Sequence, residues 1–331
     1  MDKVKCPICY TEVEERNFKE AYVSPYNNQE YKRYECPNCD VHWWEPLKMI
    51  PEFYESEVFE YYVMFHEATE PKLRNWHKVF FKHFPSNVRG KLLDVGCGDG
   101  RFLRHAKEYG FEVWGIDFDK KSVENAKRNL SIDTVFAMSL EEFYEYAKEK
   151  NLKFDVITFF EVLHLQDKPR EFLEMVKGLL KEGGYIAGSV PNGESMFIIG
   201  KNGYCIGYPP HHFLGFSKSS LEKALNFSRL KNIEVYKLDF PFIELFPYLE
   251  KKLFGNLDKL KIKLKGIVLG DERKARVYAV EDLAKVSPSK GKAYLLMMLK
   301  LIRNAMLLPF ALGYVGKLKG NGVKLYFQAK I

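Results

Sequence analysis

The N-terminal segment MDKVKCPICY has no uninterrupted apolar run of the kind that heads a secreted chain. Cysteine is scarce too: six residues in 331, mostly in two close pairs, which is not the framework of a disulfide-stabilised extracellular domain. These absences lead to the expectation of a cytoplasmic, reducing location. Glutamine occurs only at Gln29, Gln166 and Gln328, and with heavy use of lysine and glutamate this is compatible with a thermophilic origin. Two phosphate-binding signatures are missing as well. No Gly-Lys-Ser/Thr closes a P-loop, and Arg101 stands where a dinucleotide fingerprint beginning at Gly96 and Gly98 needs its third glycine.

What is present is ample for a folded core: 46% of the residues are hydrophobic, and the length allows one large domain with attachments or two domains. The net charge of +7 is uneven, because residues 247–319 carry about ten net positive charges and leave the rest near neutral.

The N-terminal pairs Cys6/Cys9 and Cys36/Cys39 are C-x-x-C knuckles separated by a polar, tyrosine-rich stretch that can form a hairpin. Four thiolates at this spacing suit tetrahedral zinc, and a metal supplies the stability that about forty residues cannot draw from their own core. A redox site would instead need one C-x-x-C at a helix start beside a βαβ unit. His42 is a substitute ligand in principle, but four cysteines already close the site, so it reads as a surface or packing histidine. The aromatic run that follows, from Trp43 and Trp44 through Phe53 and Tyr54 to Tyr62 and Phe65, packs linker helices or, alternatively, lends Tyr54 and Tyr62 as a cover for a bound cofactor. Helical spacing from Pro71 through Phe84 predicts a helix ahead of the first strand of a sheet domain.

From Lys91 onward strand-like and helix-like patterns alternate. Strands are predicted at Leu92 to Val95, Glu112 to Ile116, Thr134 to Ala137, Asp155 to Phe159 and Tyr185 to Val190, with helices between them, so the expected fold is α/β with a doubly wound, mostly parallel sheet. In KLLDVGCGDG, Lys91 to Gly100, the glycines fall at a strand-to-helix turn, where such a sheet holds a nucleotide-like ligand against bare backbone. Asp94 and Asp99 would repel a pyrophosphate and suit a cation. Asp117 ends the second strand where a carboxylate can accept both hydroxyls of a ribose. The ligand read from these residues is adenosine joined to a positively charged group.

Leu92 to Gly100 with Gly115, Ile116 and Asp117 resembles the first motif and ribose-binding acid of class I S-adenosylmethionine-dependent methyltransferases. Phe154 to Ile157, Glu161 to Leu163, Leu179 to Gly184 and Val190 to Asn192 look like that family's fourth and fifth strand motifs. The two knuckles and aromatic stretch are similar to its zinc-ribbon-bearing small-molecule branch. The resemblance implies a seven-stranded Rossmann-like methyltransferase sheet, completed by an antiparallel final pair at Ile233 to Leu238 and Val323 to Ala329. It divides the chain into a zinc ribbon at 1–48, aromatic linker helices at 49–90 and the methyltransferase domain at 91–331, with a helical basic insertion at 241–320 before the last strand. It also implies that Asp94, Gly96 and Gly98 face the cofactor, Asp117 its ribose, Phe118 an adenine face, and Met138 with Ser139 the adenine edge. Glu161 would line the methyl-transfer pocket. The family often has Leu-Glu-His after the fourth strand; here Leu163, His164 and Leu165 put the histidine one place early, which weakens a catalytic role for His164. Cys97 reads as a small packing residue.

A sulfonium methyl is already activated, so a base is needed only for a hydroxyl or protonated amine acceptor. Tyr208 to Phe213, YPPHHF, offers His211 and His212 on an approach stiffened by two prolines, and relatives often carry a histidine shortly before a Phe-Ser step such as Phe216 and Ser217. Adjacent histidines usually diverge, so one of the two is expected in the pocket; the alternative is a histidine that only bonds the loop backbone. Met196 to Tyr208 suits a mobile substrate loop in which Cys205 is a buried thiol. The insertion pairs a lysine-rich first half (Lys251, Lys252, Lys259, Lys261, Lys263, Lys265) with an apolar second half, residues 293–316, in which Lys300, Arg303 and Asn304 share a helical face. Those charges and Pro309 argue against a membrane span. A cap over the substrate pocket, peripheral attachment to an anionic membrane surface and contact with RNA are the three readings of this segment. The chain is therefore expected to be a cytoplasmic methyltransferase, using S-adenosylmethionine and zinc, that methylates a small or lipid-like acceptor at oxygen. The rivals are an RNA base methyltransferase and a non-catalytic partner-binding module of the same fold.

Overall fold

The computed structural model describes residues 4–24, 26–50, 73–194, 208–238, 242, 245–254, 260, 263, 267, 290–318 and 322–331. Tyr54, Tyr62, Cys205 and most of the segments 51–72, 195–207 and 255–289 lie outside the described residues.

In chain order the first elements are β1 (Phe18–Val23), β2 (Glu30–Glu35) and β3 (His42–Glu45), an antiparallel meander joining the two cysteine knuckles. Then come α1 (Asn75–His83), β4 (Gly90–Val95), α2 (Arg101–Glu108), β5 (Phe111–Asp117), α3 (Lys120–Leu130), β6 (Val135–Ala137), α4 (Leu140–Glu149), β7 (Phe154–Phe160), α5 (Pro169–Leu179) and β8 (Leu180–Pro191). The two-residue β9 (Leu214–Gly215), α6 (Lys218–Phe227), β10 (Lys231–Lys237), α7 (Leu245–Phe254), α8 (Lys290–Leu318) and β11 (Lys324–Lys330) follow.

Seven strands form one sheet in the order β10-β11-β8-β7-β4-β5-β6, parallel except where β11 runs against both neighbours. This is the Rossmann-like methyltransferase sheet expected from the sequence. Leu92, Leu93 and Val95 of central β4 are all buried, because helices cover both faces of the sheet; that is why its strands read as continuous apolar runs. β8 begins earlier than predicted: Leu180 already pairs with Phe154, and an irregularity follows before Tyr185 meets Val156.

One apolar cluster runs from the knuckle residues Cys6, Ile8, Cys36 and Cys39 through Trp43 and Trp44 into the sheet core at Phe159, Phe213 and Phe216. The ribbon thus shares its core with the sheet. Arg170 on α5 donates to the Ile8 carbonyl (3.4 Å), and Lys223 on α6 reaches the Asn38 carbonyl (3.3 Å) and Asp40 (2.5 Å), so each knuckle is fastened to a sheet-domain helix. A fourth strand completes the ribbon sheet: β9 pairs antiparallel with β3, His42 opposite Gly215 and Trp43 opposite Leu214.

The described residues through Leu238, together with 323–331, belong to one compact unit, and those of Asp239–Gly322 to a second. Within the second unit, Leu245, Phe246 and Leu249 of α7 bury against Leu307 and Ala311 of α8. The polar face of α8 foreseen from spacing is turned to the same helix, where Arg303 donates to Glu250 (3.2 Å) and to the Asn304 side chain (2.7 Å). Among the described residues, no helix is long and apolar enough to cross a membrane.

Candidate active site and metal centre

β4 has β5 on one side and β7 on the other, so the direction in which strands are added reverses at its carboxyl end, the ligand crevice of open α/β sheets. The loop leaving β4 fills that position. Gly96 (φ 76°), Gly98 (φ 53°) and Gly100 (φ 76°) all adopt left-handed backbone, and the Gly96 and Cys97 N–H groups donate to the Ile116 carbonyl at 2.8 and 3.0 Å. A Cβ on Gly96 would lie 2.6 Å from Val162 Cγ2, so this loop lies directly against the chain leaving β7. Cys97 Sγ is buried 2.9 Å from where a Cβ of Gly115 would sit, as expected of a packing residue.

Three carboxylates border the loop in three different states. Asp117 accepts from the Gly98 N–H (2.9 Å) and the Asp119 N–H (3.0 Å), and burial lifts it to about 6 against these bonds. Asp94 is buried at the end of β4, where burial pushes its carboxyl up to about 8 although Thr158 Oγ1 donates to it at 2.6 Å. The Asp99 carboxylate, expected from the sequence beside the loop, has a partner of its own. It is buried in a two-point ion pair with Arg101, Nε to Oδ1 at 3.0 Å and a terminal nitrogen to Oδ2 at 2.7 Å, so its charge is already matched.

Phe118, next along from Asp117, leaves 64% of its surface exposed, whereas Met138 is partly buried against the core. The Ser139 hydroxyl accepts from the Glu142 N–H (3.2 Å) and the Glu142 carboxylate accepts from the Ser139 N–H (2.8 Å), a capping box that starts α4.

Glu161, just past β7, holds a left-handed backbone (φ 61°), an uncommon conformation for a residue with a side chain. Its carboxylate accepts from Ser189 Oγ on β8 (2.8 Å) and pairs with Lys324 at the start of β11. Neither partner carries a sequence signal. Three imidazoles lie nearby. His164, in a 3-10 turn after β7 (Leu163–Leu165), places Nε2 3.3 Å from Nε2 of His212, and the His211 ring centroid is 4.4 Å from that of His212. Adjacent His211 and His212 thus stay together instead of diverging, and His164, displaced by one place from the family pattern, joins them. Burial and the Lys324 ammonium hold His211 at about 4, and burial holds His164 and His212 well below the ordinary histidine range, so all three are neutral at pH 7.

The histidine loop is clamped to the ribbon. The Trp44 N–H donates to the Phe213 carbonyl (3.1 Å), and the Tyr208 ring packs on Tyr22 and Trp44 at centroid distances of 4.8 and 5.3 Å. Nothing local in the sequence announces this pairing.

The four knuckle thiols converge. Cys6 Sγ is 3.5 Å from Cys39 Sγ, and Cys9 Sγ is 3.4 Å from that of Cys36 and 3.7 Å from that of Cys39. A tetrahedron of sulfurs around zinc has edges of about 3.8 Å, so the group fits such an ion. As free thiols the cluster is electrostatically frustrated. The Cys39 thiol, by donating to it, holds Cys6 down at about 6; burial pushes Cys36 up to about 11; and its bond to Cys6, with burial, pushes Cys39 higher still. A divalent cation would relieve this by neutralising several thiolates together. His42 is not in the cluster; its Nδ1 lies 2.9 Å from an Arg33 nitrogen.

A curated ubiquinone biosynthesis O-methyltransferase from Schizosaccharomyces pombe is 33% identical over 96 residues, 28% of this chain and 35% of that protein. Another from Pelagibacter ubique is 29% identical over 209 residues, 60% of this chain and 81% of its own length. The chain spans less than half the length of most of these relatives. A crystal structure of a SAM-dependent methyltransferase from Archaeoglobus fulgidus superposes with a TM-score of 0.48 at 17% identity, covering 82% of this chain and all of that one. The profile of the methyltransferase domain family matches residues 64–235, more than half of the sequence, and spans the glycine loop, Asp117, Glu161 and all three clustered histidines. The chain belongs to the methyltransferase domain family.

Proposed function

We propose that this protein transfers a methyl group from S-adenosylmethionine to a small or lipid-like acceptor, at oxygen, with the His211/His212 loop supplying the base. The observation that carries this reading is the meeting, at one switch point, of a left-handed glycine loop, the Asp117 carboxylate and the Glu161 turn. The ubiquinone biosynthesis O-methyltransferases among its relatives support a small acceptor and oxygen as the methylated atom.

The cofactor would supply a methyl already activated on a sulfonium, leaving alignment and exclusion of water to the protein. Gly96 and Gly98 would let it lie against bare backbone. Asp117 keeps acceptor capacity for ribose hydroxyls, exposed Phe118 would cover an adenine face, and Met138 with the chain at Ser139 would border the adenine edge. Glu161, fixed by Ser189 and Lys324, would line the transfer pocket beside the histidines. His212 or His211, neutral at working pH, would accept the hydroxyl proton as the oxygen attacks. Cys6, Cys9, Cys36 and Cys39 would hold zinc in a structural role. Fastening of both knuckles to α5 and α6 supports a scaffold rather than an RNA-gripping arm.

Calorimetry with S-adenosylmethionine is expected to show one site per chain; absence of binding would refute the reading. Cell extract incubated with the protein and isotopically labelled cofactor should yield a labelled methyl ether and S-adenosylhomocysteine, whereas cofactor binding without any turnover would point to the non-catalytic module.

A pH dependence follows from Asp94. A cation bound beside it favours the ionised carboxyl, so below about pH 8 binding must release a proton. Cofactor affinity should therefore rise with pH, by up to about tenfold per unit, and level off above pH 8. Asp94→Asn keeps an oxygen for Thr158 and should flatten this dependence; an unchanged slope in calorimetry would exclude Asp94 as its source.

A further inference from the structure

We infer that His164 is the positioning residue of the base: its Nε2 accepts the Nε2 hydrogen of His212 and holds that ring in the tautomer whose Nδ1 carries a free lone pair. This rests on the reading above in which His212 takes the acceptor proton, and it adds what keeps that nitrogen available.

The two rings meet nitrogen to nitrogen. Nε2 of His164 lies 3.3 Å from Nε2 of His212, with the ring centroids 4.5 Å apart and the planes at 87°. Both side chains are buried, and among the described residues neither Nδ1 has a hydrogen-bond partner. The two backbones are joined as well, because the Phe213 N–H donates to the His164 carbonyl (3.3 Å). The turn that carries His164 is closed twice on one oxygen: the Leu165 N–H (3.0 Å) and the Gln166 side-chain amide (3.2 Å) both donate to the Val162 carbonyl. His164 therefore stands on a fixed support from which it can orient the ring opposite.

A neutral imidazole carries one N–H and one free lone pair. Two of them joined Nε2 to Nε2 share one hydrogen, so one Nδ1 carries the remaining hydrogen and the other Nδ1 is bare. If His164 donated, His212 would hold its hydrogen on Nδ1 and spend its lone pair on His164, and it could not serve as a base. If His212 donates, its own Nδ1 is bare and the second hydrogen sits on Nδ1 of His164. Only this second arrangement leaves a buried lone pair on His212. The proton lost by the acceptor hydroxyl then goes to Nδ1 of His212. The imidazolium so formed still donates from Nε2 to a neutral His164, now through a charge-assisted bond stronger than the one before transfer. A cation shared between the two rings would need further ligands. Among the described residues, the four cysteines are the only group of three or more His, Cys, Asp or Glu ligand atoms close enough to hold one.

The test uses the full chain and the variants His164→Leu and His164→Gln. Leucine removes the hydrogen-bond acceptor, and the glutamine oxygen restores one. With cell extract as the source of acceptor, labelled-methyl transfer should slow by about 10- to 100-fold in His164→Leu, the worth of one hydrogen bond to a charged group, and stay within about threefold of the wild type in His164→Gln. Cofactor affinity and far-UV circular dichroism should be unchanged in both. The tautomers are read directly by nitrogen NMR of isotope-labelled histidine at neutral pH, each ring assigned by the signals lost in its own variant. His212 should carry its hydrogen on Nε2 and His164 on Nδ1, and in His164→Leu the His212 signals should move to a mixture of both forms. A wild-type His212 protonated on Nδ1 overturns the inference, and so do equal losses in the leucine and glutamine variants. So does a metal ion, beyond the one at the four cysteines, that is found in the wild-type chain and lost from His164→Leu. Full activity in His164→Leu beside a lost one in His212→Ala overturns the inference and leaves the base reading standing, whereas full activity in His212→Ala refutes the base reading and this role of His164 with it.

Discussion

Removal of the zinc proposed at Cys6, Cys9, Cys36 and Cys39 is expected to abolish most of the proposed methyl transfer while leaving cofactor affinity nearly intact. The reason is where the two sites meet. The glycine loop is held by β4, β5 and the Val162 turn through hydrogen bonds and contacts that involve no ribbon residue. The histidine loop depends on it at three points: the β3–β9 pairing, the Trp44 to Phe213 hydrogen bond and the packing of Tyr208 on Tyr22 and Trp44. A displacement of about 1 Å in a group that aligns or deprotonates the nucleophile can cost about 100-fold in rate. Chelation under reducing conditions should therefore lower transfer by about 100-fold or more, with a change of less than about threefold in cofactor affinity. Hydrogen exchange gives a readout independent of turnover: amides of residues 42–45 and 213–215 should lose protection together, while those of β4 and β5 keep theirs. Retained transfer in a demonstrably metal-free chain would show that the ribbon does not hold the histidines. Cys36→Ser should reproduce the chelated state.

Replacement of His212 by alanine is expected to lower kcat by about 100- to 10,000-fold, the range typical of a lost general base, with little change in cofactor affinity. His212 is the imidazole through which the cluster is joined, since it contacts both His164 and His211. The pH profile tests the same assignment. A base works when deprotonated, so the rate falls as pH drops through its pKa. With His211 held at about 4 and His212 also well below the ordinary range, the acid limb of kcat should lie well below the ~6.5 of a free histidine. Between pH 6 and 8 the histidines should contribute no slope to kcat, while Asp94 adds its slope to the cofactor-dependent term. A His212→Ala variant with unchanged kcat would remove that imidazole from the chemistry, and an acid limb near 6.5 would place the base in a wetter setting than this cluster. His164→Ala should produce a smaller loss, because it takes away the partner of His212 and not the group assigned to the acceptor.

Much of the fold was legible because it is written in local periodicities. β4 through β8 alternate with α2 through α5 in the order and nearly at the boundaries that apolar spacing predicts, and the spacing of the two C-x-x-C knuckles marks the four cysteines that the fold brings together. The turn at Gly96 and Gly98 could be placed because a tight turn beside a strand end restricts which residues fit. The pairing of Asp99 with Arg101 was not legible even though the two are two residues apart, since nothing in the spacing says that Arg101 folds back on it.

Other parts of the site were not legible in any stretch of sequence. Glu161 meets Lys324 across 163 residues, and His164 meets His212 across 48. Such pairs depend on strand order and register: β8 stands between β7 and β11, and the turn after β7 faces the loop after β8. A one-residue shift moves a side chain to the other face of a strand but only partway round a 3-10 turn, which is how His164 reaches the cluster from its early position.

By itself, then, the sequence determined a class I methyltransferase sheet, a glycine turn at the end of its first strand and two cysteine pairs that gather into one cluster, because each rests on short-range spacing and backbone conformation. Only the tertiary structure decided that the four-cysteine ribbon and the histidine loop pack together. β9 is two residues long and has no periodicity to announce it; it becomes a strand because β3 offers an open edge of hydrogen-bonding groups beside it.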